Sequence, residues 1–174
     1  MAQAEDLVQL AIKKLLPRSI KRRVADAHKL ATTGHVVVSF PKCGRTWLRA
    51  MLSMYYSNRY GLQDAPLLEF ANLHYLDRRI PKILFTHDCD SSSAPVDLSP
   101  DKSHYASKRV IYLYRDPRDV AVSQYFHRVS RKKDLDVGIF EFMKQDAGGL
   151  RTVIQYMNLW AEAVPHFNEI TLMS

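Results

Sequence analysis

"HVVVSFPKCGRTWLRAML", residues 35–52, joins a short apolar run to a helical pattern through a polar loop holding one glycine. His35 to Phe40 is rich in β-branched residues and apolar through its middle, which suits a buried strand of a parallel sheet. After the loop, Thr46 is placed to cap a helix on which Trp47, Leu48, Met51, Leu52 and Tyr55 share one face. Such a strand, loop and helix can grip phosphate. Gly44 permits close backbone approach, successive N–H groups open the helix, Lys42 adds an ammonium and Thr46 a hydroxyl. The order is not that of the Walker loop G-x-x-x-x-G-K-[ST], because Lys42 precedes Gly44. An ordinary strand-to-helix turn would account for the same residues, so the loop alone leaves both readings open.

Outward from this unit the pattern repeats. "KILFTH" (Lys82 to His87) and "KRVIYLY" (Lys108 to Tyr114) read as further buried strands, and "EITLMS" begins another. Asp116 at N-cap, Pro117 at N1 and Asp119 at N3 set a helix start at Pro117. "IFEFMKQ" and "LRTVIQYMNLWAEAV" read as two helices, the second burying Val153 or Ile154, Met157, and Trp160 or Ala161. Residues 61–81 give no clear element, and residues 88–103 are loop by composition. Alternating strands and helices predict an α/β fold, a three-layer α/β/α sandwich around a central parallel sheet. In such sheets ligands bind beyond the carboxyl ends of the strands. Lys42 and Arg45 follow the first strand, His87 the second and Arg115 the third, with Ser123 two helical turns further on.

The 174 residues, 47% hydrophobic, suffice for one domain with a real core. The formal charge of +7 and a pI near 9.5 favour an anionic partner without choosing one. Arginines gather at the predicted strand ends and within the first 25 residues, not in a basic stripe interleaved with aromatics, so no nucleic-acid partner is expected. Residues 1–34 read as a basic amphipathic helical segment with Leu7, Leu10 or Ala11, and Leu15 at helical spacing. It suits either a solvated peripheral helix or peripheral contact with a membrane surface. Two cysteines, Cys43 and Cys89, no run near the roughly 18 apolar residues of a membrane span and no export signal predict a cytoplasmic protein. The histidines other than His87 show no ligand spacing, so no metal site is expected.

Taken as a set, these residues resemble the sulfotransferases that use 3'-phosphoadenosine 5'-phosphosulfate (PAPS). "SFPKCGRTW" resembles the family's 5'-phosphosulfate loop, Y/F-P-K-S-G-T-T-W; "YRDPRDVAVS" resembles its 3'-phosphate motif, R-N/D-P-x-D-x-x-x-S; "THD" falls where the family keeps a T-H element. The resemblance implies a P-loop nucleotide-kinase-like fold with residues 35–174 as the sulfotransferase-like domain. It implies a transferase moving sulfuryl from PAPS to a hydroxyl or amine, leaving the nucleotide product PAP, without a metal. Lys42 would stabilise the leaving phosphate and His87 would act as general base. Lys42, Cys43, Gly44, Arg45 and Thr46 would hold the 5' end, Trp47 would stack on adenine, and Arg115 and Ser123 would bind the 3'-phosphate. Such chemistry needs mainly in-line positioning and charge stabilisation.

This chain departs from the pattern at Cys43 (usually serine), at Arg45 (usually threonine) and at Phe85, where many cytosolic members carry lysine. Family chains also continue past a strand like "EITLM" to a Y-E-D segment and an R-K-G-x-x-G element, so the resemblance implies a domain truncated at its C-terminus. The acceptor it allows is a small molecule, a lipid or a carbohydrate. Two alternatives stand beside this reading: a P-loop nucleotide kinase, against which the early lysine argues, and a non-catalytic module that binds PAP or another nucleotide.

Overall fold

The computed structural model describes residues 18–174, with side chains from residue 25 onward. The helix expected between Ala2 and Leu16 lies outside the described residues. Helix α1 (Arg18–Ala31) leads into β1 (His35–Ser39), α2 (Arg45–Tyr60), a short α3 (Asn72–Leu76) and β2 (Ile83–Thr86). Then follow β3 (Arg109–Leu113), α4 (Pro117–Phe126), a π-helical turn His127–Lys132, α5 (Ile139–Lys144), α6 (Leu150–Ala163) and β4 (Glu169–Met173). All four expected strands form, and they make one parallel sheet in the order β2-β1-β3-β4. The expected α/β class with a central parallel sheet is what the chain adopts.

That order decides where a ligand can sit. From β1 the chain moves to one side to form β2, then crosses to the other side of β1 to form β3, so the loops at the carboxyl end of β1 diverge and leave a crevice. The register pairs Val38 with Thr86 and Ser39 with Leu113, which brings the residues following all three strands to one edge. Val36, Val37 and Val38 are fully buried, as a central strand with both faces covered requires. Around them pack Phe40, Tyr112, Tyr156 and Trp160; the Tyr112 and Trp160 rings stack 5.0 Å apart.

Two helix readings need correction. Helix α2 begins two residues early, at Arg45, with Gly44 at N-cap and no side-chain cap, so Thr46 does not cap it. Of its expected buried face only Leu48 is buried and Leu52 partly so; Trp47, Met51 and Tyr55 are exposed. The helix is instead held through Ser53, whose hydroxyl donates to Arg49 O (2.7 Å) and accepts from Leu68 N (2.6 Å), so residues 61–81 cover that side. On α6, Val153 and Trp160 are buried as expected, but Tyr156 takes the central place foreseen for Met157. Its hydroxyl has a polar partner there, described below.

Candidate active site

The phosphate-type loop, Phe40 to Thr46, turns twice through left-handed backbone: φ is 74° at Lys42 and 92° at Gly44. Glycine adopts this freely, whereas a lysine there carries strain of order 1 kcal/mol or more. Both residues line a cleft with the first turn of α2, and burial together with the charges of Arg131 and Lys132 lowers the Lys42 pKa. Cys43 goes the other way. Its side chain is buried in the core, and Cys43 is not among the residues that line the cleft. Burial pushes the Cys43 thiol up to about 11, against the opposing pull of Arg115. At pH 8 roughly one molecule in a thousand then carries a Cys43 thiolate. Iodoacetamide at that pH is expected to modify the half-buried Cys89 well before Cys43; equal rates by mass spectrometry would show that the thiol is not buried as described. Cys43 and Cys89 form no disulfide.

His87, just past β2, is fixed by its neighbours. Its Nδ1 lies 2.9 Å from Ser39 O. A carbonyl only accepts, so Nδ1 carries the proton, and in the neutral ring the lone pair is on Nε2. The Tyr156 hydroxyl donates to His87 O at 2.8 Å. Next in the chain, Asp88 has φ 57° and a carboxylate that accepts from Lys102 Nζ (2.6 Å) and the Tyr105 hydroxyl (3.1 Å). Both side chains of this ion pair are buried, Lys102 at 3% and Asp88 at 9% exposure. The loop after it is pinned as well: Gln124 Nε2 donates to Ser91 O, and Thr152 Oγ1 to Ser93 O, each at 3.0 Å.

The third loop starts α4 as read from the sequence. The Asp116 side chain accepts from Arg118 N at 2.9 Å, and Pro117 occupies the first turn. Arg118 grips Asp116 with Nε and Nη2 and holds that carboxyl down to about 2, so it is taken up in the cap. Asp119 does not close a capping box; it pairs with Arg115 at 3.2 Å. Arg115 and Ser123 both reach the cleft.

Lys42, Gly44, Arg45, Thr46, Trp47, His87, Arg115 and Ser123 therefore converge on one cleft of about 490 Å³, inside the ~300–1,000 Å³ usual for small-molecule sites. Sequence reading missed Gln124, His127, Arg128 and Lys132, which also line it. A helix-facing period was the available signal: Gln124, His127 and Arg128 recur at the three- and four-residue spacing of Ser123 and Val120 on α4. Among the described residues no carboxylate lines the cleft. Cationic side chains, a glycine turn and a helix N-terminus suit a ligand with separated phosphate groups, and Trp47, 77% exposed at the rim, offers a ring face for a base. The residues present thus fit PAPS. Among the described residues no three or more His, Cys, Asp or Glu side chains group to hold a metal ion, and no helix is long and apolar enough to cross a membrane.

Fold and cleft together define an α/β protein with a cationic cleft at the switch point of a parallel sheet. Residues 33–169 match the sulfotransferase domain family, and the chain belongs to it. It is 33% identical over 112 residues to sulfotransferase 2A1 of Macaca fascicularis, an alignment covering 60% of this chain and 38% of that protein. It is 31% identical over 116 residues to sulfotransferase 2A1 of Homo sapiens, with the same coverage, and 29% identical over 102 residues to the amine sulfotransferase of Oryctolagus cuniculus, covering 52% and 31%. The chain spans less than two fifths of the length of these relatives. No solved structure gives a significant match.

Proposed function

We propose that this chain forms the donor-binding and catalytic face of a PAPS-dependent sulfotransferase acting on a hydroxyl or amine. The observation that carries the reading is the meeting of Lys42, His87, Arg115 and Ser123 in one cleft that no carboxylate lines among the described residues. PAPS supplies an activated sulfuryl group and a nucleotide leaving group. The Arg115 guanidinium and Ser123 hydroxyl hold a 3'-phosphate, and the turn Gly44–Thr46 presents backbone N–H groups and the Arg45 and Thr46 side chains to a 5'-phosphate. Lys42, bent toward the cleft by its left-handed backbone, stabilises negative charge gathering on the leaving oxygen. His87 takes the acceptor proton at Nε2, because Ser39 O keeps the other nitrogen protonated.

Calorimetric titration with PAP tests the donor site. Binding is expected, with a clear preference over ADP, which lacks the 3'-phosphate. Arg115→Ala removes charge-assisted hydrogen bonds and should weaken PAP roughly 10–100-fold, while leaving ADP affinity nearly unchanged. No PAP binding, or equal affinity for ADP, would overturn the assignment.

A further inference from the structure

We infer that Tyr156 is a positioning residue for the base: its buried hydroxyl holds the main chain of His87 so that the imidazole keeps its proton on Nδ1 and leaves Nε2 for the acceptor. The inference rests on the PAPS reading above and adds to it a residue outside the cleft on which the rate depends. Tyr156 is 1% exposed and is not among the residues that line the cleft.

Four links close a circuit through this side chain. The Tyr156 hydroxyl donates to His87 O at 2.8 Å, and His87 Nδ1 in turn donates to Ser39 O at 2.9 Å. Ser39 is bonded to Phe40, the first residue of the phosphate-type loop. The Phe40 ring then meets the Tyr156 ring edge-on, with centroids 5.2 Å apart. One side chain of α6 therefore ties the end of β2, where the base sits, to the loop that carries Lys42 two residues past Phe40. Loosening that tie changes the base itself and its place relative to the leaving-group lysine.

The backbone after the base shows why a tie is needed. Strand β2 ends at Thr86, and Asp88 already has φ 57°, a left-handed conformation that a residue other than glycine keeps only where its surroundings hold it. Both polar groups of the peptide between His87 and Asp88 are held by side chains. Tyr156 donates to its carbonyl, and Thr86 Oγ1 accepts from Asp88 N at 3.2 Å. Without the Tyr156 hydroxyl the carbonyl loses this donor and the peptide can rotate, carrying the imidazole away from Ser39 O. Nδ1 then loses the acceptor that fixes its proton, and the neutral ring divides between two tautomers, of which only one has its lone pair on Nε2.

Tyr112 separates this role from packing. It belongs to the same aromatic cluster, its ring 6.4 Å from that of Tyr156, and its hydroxyl is buried without a partner. Tyr156→Phe and Tyr112→Phe remove the same atom from the same core, but only the first removes a bond to the base.

The test uses the full chain with isotope-labelled histidine, the His87 signals being assigned by their loss in His87→Asn. With the ring neutral, long-range proton–nitrogen correlation spectra should show the Nδ1–H tautomer in wild type and in Tyr112→Phe, and a mixture with the Nε2–H tautomer in Tyr156→Phe. Sulfate transfer from radiolabelled PAPS is then measured with 2-naphthol or an alkylamine, whichever wild type accepts. In Tyr156→Phe alone kcat should fall roughly tenfold or more, since a displacement of about 1 Å at a reacting group costs up to about 10²-fold. PAP affinity by calorimetry should stay within about twofold. If Tyr156→Phe fails to fold, Thr86→Val, which frees the other end of the same peptide, should show the same change of tautomer. An Nε2–H tautomer in wild type, an unmoved tautomer or an unmoved kcat in Tyr156→Phe, or an equal effect of Tyr112→Phe would each overturn the inference. So would PAP affinity lost with the hydroxyl, because Tyr156 would then shape the donor site. Where the chain binds PAP without transferring sulfate, the tautomer comparison decides alone. Wild-type protein that binds no PAP would bring down the donor reading, a failure that the tautomers do not report.

Discussion

Lys42→Ala is expected to slow sulfuryl transfer roughly 10²–10³-fold, about 3–4 kcal/mol, the usual cost of removing one group that stabilises charge on a leaving oxygen. The loss should appear in kcat more than in the affinity for PAP. In the transition state the leaving oxygen gains charge that the ground state lacks, and Arg115, Ser123 and the loop amides continue to hold the nucleotide. Folding is expected to survive, because alanine meets the same left-handed backbone at φ 74° that lysine already tolerates. Lys42→Gly relieves that strain and serves as a control: a variant as stable as wild type or more so, and still slow, separates catalysis from loop structure. His87→Asn removes the base, with an expected loss of about 10²–10⁴, and the double variant should fall short of the product of the single losses, since the two groups act on one transfer. Full rates in either single variant would remove that residue from the mechanism.

How much of this could be read from residues alone follows physical lines. The strands were legible because Val36–Val38, Ile83–Leu84 and Val110 are apolar on successive positions, a pattern that a strand buried on both faces shows without any partner being known. The start of α4 was legible for a local reason: Asp116 and Pro117 act within one turn. The convergence of Lys42, His87 and Arg115 followed from their places after strands. What escaped was whatever depends on distant chain. Thr46 looked like a cap, but Gly44 could take the left-handed turn and start the helix earlier. Trp47, Met51 and Tyr55 read as a buried face because their period is helical; the sheet and residues 61–81 cover Leu48 and Ser53 instead. Cys43 read as a ligand contact by its position in the loop, yet its side chain fills the core. The helical period could set Gln124 and His127 on the face of Ser123, but nothing in the sequence marks their Oε1 and Nδ1 as lacking partners, because an unmatched polar atom exists only once everything around it is packed.

Lys102→Met is expected to destabilise the protein by about 3–5 kcal/mol, the cost of leaving one member of a buried ion pair without its partner. The Asp88 side chain is 9% exposed; the Tyr105 hydroxyl at 3.1 Å still donates to it, and His104 Nε2 lies 3.6 Å from its Oδ1, a charge partner only when that imidazole is protonated. Methionine keeps the apolar stem, so packing near Tyr156 and Trp160 is largely retained, while the ammonium 5.5 Å from the Trp160 ring and 5.9 Å from the Tyr156 ring is lost. For a domain of this size the loss corresponds to a fall in Tm of roughly 6–20 °C. Asp88→Asn in the Lys102→Met background should recover a large part of it, because a neutral amide can be buried at far lower cost than a lone carboxylate. The pair also bears on chemistry. Asp88 is covalently next to His87, and Tyr156, which lies against Lys102, donates to the His87 carbonyl. Where the stability-rescued double variant still folds, its kcat should fall while its PAP affinity holds, as expected of residues that position the base without touching the nucleotide. A single Lys102→Met variant melting within a degree or two of wild type would mean that water reaches the pair. A double variant no more stable than the single would mean that the loss lay in packing and not in the charge left on Asp88.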